Sequence, residues 1–273
     1  MRRAARGRAR QAVNVVADLY VRQVRTAIRE EVDRAIDATR AEVERLGRLI
    51  GEVEFRARRD IHAVGERDAA LASARFAWEH MPTSPTFPEP LETLRYALTL
   101  VEKDGMVLEF GVYSGKTLRV IAEARDGKQV YGFDSWQGLP EAWRPNIGAG
   151  SFTAPEMPDV EGAELIDGWF EDSLPPFLET HPGPVAMVHI DCDLYSSTKT
   201  VLDHVGPRLQ PGTVIVFDEY FNYPGWQDHE HKAWMEFVER TGIEFTWESY
   251  TSNDEQVVVR VTSLGPDGGP AGS

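Results

Sequence analysis

Acidic residues follow four of the short apolar segments of this chain, and their side chains could do chemistry. Glu109, Asp134, Asp191 and Asp218 each end such a segment, and Glu219 follows Asp218. In an open sheet of parallel strands, ligands bind outside the carboxyl ends of the strands. Carboxylates at that edge can accept ribose hydroxyls, hold a hard divalent cation, or remove a proton. The sequence therefore predicts a ligand site at that edge.

A loop with two glycines follows the first of these acidic residues. Residues 107–117 read Val-Leu-Glu-Phe-Gly-Val-Tyr-Ser-Gly-Lys-Thr, and a segment that suits a helix follows at 118–124. A strand, a glycine turn and a helix together place a nucleotide-like ligand against the backbone at a helix N-terminus. Gly111 and Gly115 permit the tight turn and the close approach because neither carries a Cβ.

Three nucleotide-binding interpretations compete for this loop. A dinucleotide site requires Gly-x-Gly-x-x-Gly, but Tyr113 and Lys116 occupy two of the glycine positions. A phosphate-binding loop requires four residues before Gly-Lys-Thr, and only three separate Gly111 from Gly115. The third interpretation is a class I methyltransferase, which the loop resembles in Glu109 and both glycines, and which binds S-adenosylmethionine there. A tight turn without a ligand is the simpler alternative.

Asp134 ends the next apolar segment, 129–133, and lies 23 residues after Gly111. An acidic residue about 20 residues past a glycine loop can accept both ribose hydroxyls. A lone aspartate at a strand end usually serves in a turn or as a helix cap. Asp134 is not alone, because it occurs together with Glu109 and the glycine loop. The combination favours ribose binding.

Strand-like and helix-like segments alternate over most of the chain, which predicts a doubly wound α/β fold. The runs 184–191 and 213–218 are nearly continuous in apolar residues, as suits strands buried on both faces of a parallel sheet. Residues 243–250 and 255–261 are joined by a short polar connection and predict a terminal β-hairpin, which is typical of class I methyltransferases. We expect a Rossmann-like, mostly parallel seven-stranded sheet with this antiparallel hairpin, preceded by a long N-terminal helix. The other expected elements are strands at 129–133 and 163–167 and helices at 91–103, 115–125, 196–208 and 228–241.

Two pairs of acidic residues remain besides Glu109 and Asp134: Asp191 with Asp193, and Asp218 with Glu219. By the period-two alternation of a strand, His189, Asp191 and Asp193 project to one side. Converging carboxylates without a nearby Lys or Arg repel one another. Mg²⁺, which prefers oxygen ligands, would relieve that repulsion. The simpler alternative is that Asp193 and Asp218 cap the helices that follow them.

Three further segments make the resemblance more specific. They are Gly132 to Pro140 (GFDSWQGLP), His189 to Tyr195 (HIDCDLY), and Asp218-Glu219-Tyr220 through Pro224-Gly225. These segments look like the macrocin O-methyltransferase (TylF-like) family, and the similarity covers approximately 91–261. The resemblance implies a class I methyltransferase fold and methylation of hydroxyls, often on deoxysugars of antibiotics, with the use of Mg²⁺.

The resemblance also implies which residues bind the cofactor and the metal. The expected S-adenosylmethionine-binding residues are Glu109, Gly111, Tyr113, Ser114, Gly115, Thr117, Asp134, Ser135, Gly168 and Trp169. The metal ligands would be Asp191, Asp218 and the next residue, which is Glu219 where the family has Asp. This departure adds one methylene to the third ligand. The segment 221–231 also suggests a distinct branch, so the antibiotic sugar is not carried over as the substrate.

Asp191 is the first candidate for the base that accepts the proton of an acceptor hydroxyl. Methyl transfer from a sulfonium is a direct displacement, so positioning is the main demand on the protein. A bound Mg²⁺ would make the hydroxyl proton easier to remove. His229 and His231 rank lower, with His189 as a further rival, because an unperturbed imidazole titrates near neutral pH. For each histidine, a structural or solvated role is the simpler interpretation.

Composition and charge limit the setting of the protein. Cys192 is the single cysteine, which excludes an intrachain disulfide and favours a reducing compartment. No apolar run reaches about 18 residues, so we expect no membrane span. The arginine-rich start lacks the apolar core of a signal peptide, so we expect a cytoplasmic protein. Residues 1–60 carry a net charge of +5 and the remainder −20, which argues against a nucleic-acid partner for the catalytic region.

The first 80 residues contain a heptad pattern. Residues recur at alternating spacings of four and three, as in a coiled-coil seam: Val32, Ile36, Thr39, Val43, Leu46, Ile50 and Val53. The seam predicts a homo-oligomer formed through the N-terminal helix; packing on the catalytic domain and a solvent-exposed helix are the alternatives. We expect a helical extension at 1–80, a proline-rich linker at 81–90, the methyltransferase domain at 91–262, and a disordered tail at 263–273. The long segment 136–162 predicts an active-site lid.

The acceptor predicted by this combination is a sugar or another small molecule or glycan that bears a hydroxyl. Two other function classes remain. One is a metal-independent methyltransferase that acts on nitrogen or carbon, against which loss of activity on chelation would argue. The other is a non-catalytic adaptor assembled through the N-terminal helix. Acidic residues at four strand ends argue against the loss of catalysis that an adaptor implies.

Overall fold

The computed structural model describes residues 2–154 and 156–265, and for residues 2–13 it describes the backbone only. The chain divides into two compact units, Met1–Val64 and Gly65–Ser273. Most of the expected C-terminal tail, from residue 266 onward, lies outside the described residues.

The expected long N-terminal helix is confirmed, and a second helix follows it. Helix α1 spans Arg2–Arg59 and α2 spans Ile61–His80. The break falls at Asp60, whose Oδ1 accepts hydrogen bonds from the backbone N–H groups of His62 at 3.0 Å and Ala63 at 3.4 Å. An aspartate that accepts from the first turn in this way caps a new helix. Among the described residues, no helix combines the length and the apolar character that crossing a membrane requires.

The second unit is built on an eight-stranded sheet with the order β1-β7-β8-β6-β5-β2-β3-β4. The strands are β1 (Thr86–Phe87), β2 (Met106–Phe110), β3 (Val130–Asp134), β4 (Glu164–Asp167), β5 (Val185–Ile190), β6 (Val214–Phe217), β7 (Glu244–Thr251) and β8 (Val257–Ser263). Strand β8 runs antiparallel to both of its neighbours, and the other pairs are parallel. The expected mostly parallel sheet with a C-terminal antiparallel hairpin is confirmed. The two-residue strand β1 is an addition, at the edge beside β7.

Helices cover the sheet, and one of them was not expected. The helices of this unit, besides the end of α2, are α3 (Pro90–Thr99), α4 (Lys116–Ala124), α5 (Phe170–Thr180), α6 (Tyr195–Val205) and α7 (Glu230–Thr241), with short 3₁₀ turns at Gly206–Arg208 and Trp226–Asp228. Helix α5 contains Pro175 and Pro176, and interior prolines disfavour a helix. Its buried face supplies the compensation, since Leu174 is fully buried and the Phe177 ring packs edge-on against Phe133 at 5.0 Å.

Every residue of strands β2, β5 and β6 is buried. Successive residues of β2 enter two different cores, Val107 on one face and Leu108 on the other. Burial on both faces is what a parallel sheet with helices on each side produces. It leaves the ends of these strands, rather than their faces, as the places where polar side chains can meet a ligand.

The C-terminal half of α2 belongs to the second unit, although the sequence placed the domain boundary at 81–90. Its small side chains are buried every fourth residue: Ala69, Ser73 and Ala77. On the same half of α2, the Phe76 ring packs edge-on against Trp226 at 5.5 Å. Small residues let a helix approach closely, and this packing joins the helix to the core, which proline content alone did not indicate.

The substitution Gly111→Ala is expected to destabilise the sheet. Gly111 has a φ of +92°, and a Cβ there would lie 1.6 Å from the backbone oxygen of Asp191. The left-handed backbone conformation and the clash of the new Cβ with backbone atoms should together lower the free energy of unfolding by about 2–5 kcal/mol. Urea denaturation measures this change. Gly148→Ala is the control, because a Cβ at Gly148 meets nothing within 4 Å. An equal loss of stability in the two variants would contradict the close approach of Gly111 to the backbone of Asp191.

Candidate functional site

A cavity of about 820 Å³ opens beside the carboxyl ends of the parallel strands. Many of the sequence-predicted site residues line it: Gly111, Tyr113, Ser114, Thr117, Asp134, Ser135, Gly168, Trp169, Asp191 and Glu219. They come from the segments that follow β2, β3, β4, β5 and β6, which the sheet order brings together. The volume falls within the range of small-molecule and cofactor sites.

The other predicted site residues lie outside this lining. Gly115 begins α4 with a φ of +72°, and a Cβ there would lie 2.8 Å from Val160. Glu109 is fully buried within β2. Asp218 is partly buried, and it faces His189. His229 and His231 are described below.

Asp134 holds the glycine loop in its conformation. Its Oδ2 accepts hydrogen bonds from the N–H groups of Val112 at 2.9 Å and Tyr113 at 2.8 Å, and its Oδ1 accepts from Trp136 at 2.8 Å. Tyr113 has a φ of +46°, so the bond from its N–H helps to keep an unfavourable backbone conformation. A carboxylate has about four acceptor positions. Asp134 can therefore shape the loop and still accept a hydroxyl of a ligand in the cavity.

A buried imidazole lies between two carboxylates on neighbouring strands. The parallel register of β2 and β5 sets Glu109 beside His189, and the Nδ1 atom lies 2.8 Å from Glu109 Oε1. The Nε2 atom lies 3.4 Å from Asp218 Oδ1, an ion-pair distance that is longer than a well-formed hydrogen bond. This arrangement places three titratable groups side by side in the sheet.

The proton of this group resides on His189. Burial alone would lower the pKa of His189, but the contacts with Asp218 and Glu109 outweigh it and raise that pKa well above the usual value. Burial also raises the pKa of Glu109, so the two groups compete for one proton. We place that proton on the imidazole because two carboxylates flank it. A protonated His189 orients Asp218 and cannot itself act as a base.

Further carboxylates surround this group. Burial and then the neighbouring negative charges raise the pKa values of Asp191, Glu219 and Glu230 well above their usual values. Burial is also the main reason that the pKa of Asp193 is raised to about 7. Asp218 differs, since its interaction with the imidazole of His189 and the hydrogen bond from Gln256 outweigh burial and lower its pKa. Carboxylates this close together repel one another, and a bound cation would supply the positive charge that offsets the repulsion.

The side chains present fit a divalent cation. One ligand atom from each of His189, Asp191 and Asp218 lies within 4.8 Å of the others. Glu219, the predicted third ligand, is not in that group, but its Oε2 is buried and has no hydrogen-bond partner. Carboxylate oxygens are the ligands that Mg²⁺ prefers. Since His189 carries a proton, it fits as a neighbour that orients Asp218 rather than as a ligand.

Two residues that the sequence analysis missed orient these carboxylates. Glu230 is fully buried in the first turn of α7, and its Oε2 accepts a hydrogen bond from the Glu219 N–H at 3.0 Å. Gln256 lies just before β8 and donates from Nε2 to Asp218 Oδ2 at 3.1 Å. The acidic helix start could have drawn attention to Glu230. No sequence signal connects Gln256 with Asp218.

Arg144, also missed, fixes the long segment between β3 and β4. Its guanidinium stacks between the rings of Trp143 and Tyr223, at 3.6 and 3.7 Å from their centroids, and it pairs with the carboxylate of Glu255 through a 2.9 Å hydrogen bond. The segment supplies one wall of the cavity through Gly138, Leu139, Pro140, Glu141, Trp143 and Phe152. The expected lid is thus a wall that one arginine ties to two distant parts of the chain.

His229 and His231 lie away from the cavity lining. His231 packs edge-on against Phe76 and Trp226, and its Nδ1 lies 2.9 Å from the Tyr220 hydroxyl. Burial lowers the pKa of His231 to about 4. His229 is half-buried, and burial lowers its pKa as well. Both belong to the start of α7, which packs into an aromatic cluster that their spacing in the sequence did not reveal.

The burial of His231 predicts a loss of stability in acid. Its folded-state pKa of about 4 lies below the usual 6.5 or so of an unfolded chain, so only the unfolded state gains a proton between these values. Stability from this residue is complete above about pH 6.5 and falls by about 3 kcal/mol towards pH 4. His231→Asn should remove that part of the acid loss in denaturant titrations. His62→Asn, on the exposed start of α2, is the control, and an equal change in both variants would contradict the assignment.

Residues 108–220 match the family described as "Methyltransferase domain". The chain is 28% identical over 189 residues to the 8-demethyl-8-(2,3-dimethoxy-alpha-L-rhamnosyl)-tetracenomycin-C 4'-O-methyltransferase of Streptomyces olivaceus. The aligned region covers 57% of this chain and 69% of that protein. It is 28% identical over 210 residues to the mycinamicin III 3''-O-methyltransferase of Micromonospora griseorubida, and this alignment covers 64% of this chain and 79% of that protein. The solved structure of the calicheamicin methyltransferase CalS11 has a TM-score of 0.49 at 21% identity, over 62% of this chain and 79% of that one.

Proposed function

We propose that this chain, which contains a class I methyltransferase domain, transfers a methyl group from S-adenosylmethionine to a hydroxyl of a sugar or another small-molecule or glycan acceptor. One observation carries the proposal: a single cavity is lined both by the glycine loop with Asp134 and by Asp191 and Glu219. Both relatives described above are named O-methyltransferases, which supports oxygen as the acceptor atom. Together with the three sequence segments, this supports membership of the macrocin O-methyltransferase (TylF-like) family.

The glycine loop and the ends of β3 and β4 would bind the cofactor. Backbone and small side chains of the loop approach it closely, and Asp134 accepts one of its ribose hydroxyls. The other residues in this role are Tyr113, Ser114, Thr117, Ser135, Gly168 and Trp169, all of which line the cavity. Glu109 is better placed to hold His189 than to touch the cofactor, because its carboxylate is buried beside that imidazole. Gly115 serves through its left-handed conformation at the start of α4.

The charge of the lining limits the acceptor. Among the described residues, the acidic side chains around the cavity are Asp134, Glu141, Glu171, Asp191, Asp193 and Glu219, against the single basic residue Lys116. Such a wall repels phosphates and carboxylates and favours a neutral acceptor that bears hydroxyls. Trp143, Phe152 and Trp169 add aromatic surface on which a sugar or an aglycone can pack.

Asp191 is the residue that would accept the proton. Its carboxylate lines the cavity, and it has two oxygens, so one can hold the metal while the other accepts a proton. In the reaction, the acceptor oxygen forms a bond to the methyl carbon as the bond from that carbon to sulfur breaks. The hydroxyl proton passes to Asp191, and S-adenosylhomocysteine leaves without the positive charge. His229 and His231 have no part in this scheme, because they do not reach the cavity.

Asp191, Asp218 and Glu219 would hold Mg²⁺. When bound, the ion would lower the pKa of the acceptor hydroxyl and offset the repulsion among the carboxylates. His189 and Gln256 hold Asp218 in place from two sides. Glu230 fixes the backbone of Glu219.

Asp134→Ala is expected to weaken the binding of S-adenosylhomocysteine. The ribose loses an acceptor, and the glycine loop loses the bonds that shape it, so the affinity should fall roughly ten- to hundredfold in calorimetry. Asp167→Ala is a matched control, since Asp167 pairs with Asp134 in register, is exposed, and does not line the cavity. Unchanged affinity in Asp134→Ala would remove the ribose assignment.

Chelation is expected to stop methyl transfer, and added Mg²⁺ should restore it. Asp191→Asn should lower turnover by about 10²–10⁴-fold with little change in cofactor affinity, and should weaken Mn²⁺ binding in electron paramagnetic resonance titrations. Glu219→Asp should keep activity, because it preserves the charge. Asp228→Asn is the control, because Asp228 is exposed and lies nine residues after Glu219. Full activity in excess chelator would instead favour a metal-independent methyltransferase that acts on nitrogen or carbon.

A further inference from the structure

Helix α1 carries a row of apolar side chains that stays exposed in this chain. With the heptad positions lettered a to g, position a holds Ile36, Val43 and Ile50, and position d holds Val32, Thr39, Leu46 and Val53. Apart from Thr39, these side chains are between 45% and 69% exposed. Burial of such a row is the usual source of stability for a long amphipathic helix.

The row continues towards the N-terminus beyond the seam identified from the sequence. Val21, Val24 and Ile28 precede Val32 at spacings of three, four and four. Val24, Ile28, Val32 and Ile36 are thus separated by three consecutive spacings of four, which amount to two four-residue insertions in the heptad pattern, and a coiled coil absorbs such insertions by local unwinding. The row thus runs from Val21 to Val53, and at 1.5 Å per residue it is about 48 Å long.

Within one chain, α1 has little else to stabilise it. Its ion pairs, such as Arg45 with Glu42, lie at exposed positions one turn apart, where each contributes only a few tenths of a kcal/mol. Gly47 and Gly51 each cost about 1 kcal/mol relative to alanine inside a helix. A Cβ at either position would meet nothing within 4 Å, so packing in this chain does not require these glycines.

We propose that α1 pairs with α1 of a second copy of this chain as a parallel, in-register two-stranded coiled coil. Each a position of the seam holds Ile or Val and Leu46 is at d, the combination that favours two strands in parallel coiled coils, while Val32 and Val53 at d depart from it. Charge supports the orientation, because none of the facing g–e pairs of the seam in the parallel register opposes like charges: Ala35–Arg40, Glu42–Gly47 and Leu49–Glu54. The antiparallel register that aligns Ile36 with Val53 would set Asp33 close to Glu54.

The apolar area is large enough for a stable pair. Full burial of one such side chain is worth about 1.5–3 kcal/mol, and each Å² of apolar surface removed from water contributes about 25 cal/mol. Covering the exposed half of one side chain therefore removes on the order of 45 Å² from water. Nine side chains from each helix would then bury roughly 800 Å². The aliphatic stems of the flanking arginines and glutamates add to this area, which brings the total to the roughly 1,000 Å² that a specific interface needs.

The full-length chain tests the proposal by light scattering on a size-exclusion column. The wild type should elute as a dimer, and Ile36→Asp with Ile50→Asp should elute as a monomer. Ala41→Asp with Phe55→Asp is the matched control, since it places the same charges fourteen residues apart at f positions on the outer face, and it should remain a dimer. A monomeric wild type, or equal loss of mass in both double variants, would overturn the proposal.

A cysteine at a single position tests the orientation. In a parallel pair, Ile36→Cys faces its own copy at a distance that a disulfide spans, and oxidation should give a covalent dimer. In the antiparallel pair, Ile36→Cys would crosslink only when mixed with Val53→Cys, and that result would overturn the parallel arrangement. The native Cys192 is buried and does not compete. Every variant should bind S-adenosylhomocysteine as the wild type does, so that failure here is distinct from failure of the proposed activity.

Discussion

The site depends on keeping several carboxylates together where little water reaches them. Removing ionised groups from water costs several kcal/mol each unless an opposite charge accompanies them. His189 supplies one positive charge, and it lies between Glu109 and Asp218 only because β5 pairs with β2 on one side and with β6 on the other. The remaining uncompensated carboxylates create the affinity for a cation on which the proposed chemistry rests. The order of the central strands is therefore an electrostatic requirement as well as a packing solution.

One backbone contact joins the glycine loop after β2 to these carboxylates. The Cα of Gly111 lies so close to the backbone oxygen of Asp191 that no side chain fits between them, and the Asp191 N–H donates to Phe110 O at 2.8 Å. A movement of the loop would therefore move Asp191, and the reverse also holds. Because methyl transfer needs the donor and acceptor to be aligned, a rigid link between the two halves of the site would serve the proposed reaction directly.

The remaining wall of the cavity is assembled from parts of the chain that are far apart in sequence. Arg144 joins the segment after β3 to Tyr223, which follows β6, and to Glu255 in the β7–β8 connection. Its positive charge also acts on the carboxylate group, since it opposes the rise in the pKa of Asp193. The wall that would face the proposed acceptor is thus coupled to the charge of the site. A change of acceptor between related proteins would be accommodated most easily in this segment, which contributes side chains to the cavity without belonging to the sheet.

The sequence by itself determined the features that depend on neighbours along the chain. The alternation of strands and helices, the glycine loop, the acidic strand ends and the terminal hairpin all have local patterns, and the fold predicted from them is confirmed. Tertiary structure decided the rest. Packing against the sheet stabilises α5 despite its two prolines, and burial among aromatic rings removes His231 from the cavity. Arg144 meets Glu255 across 111 residues, and Gln256 meets Asp218 across 38. Such partners are chosen by strand order and burial, which no local pattern of residues records.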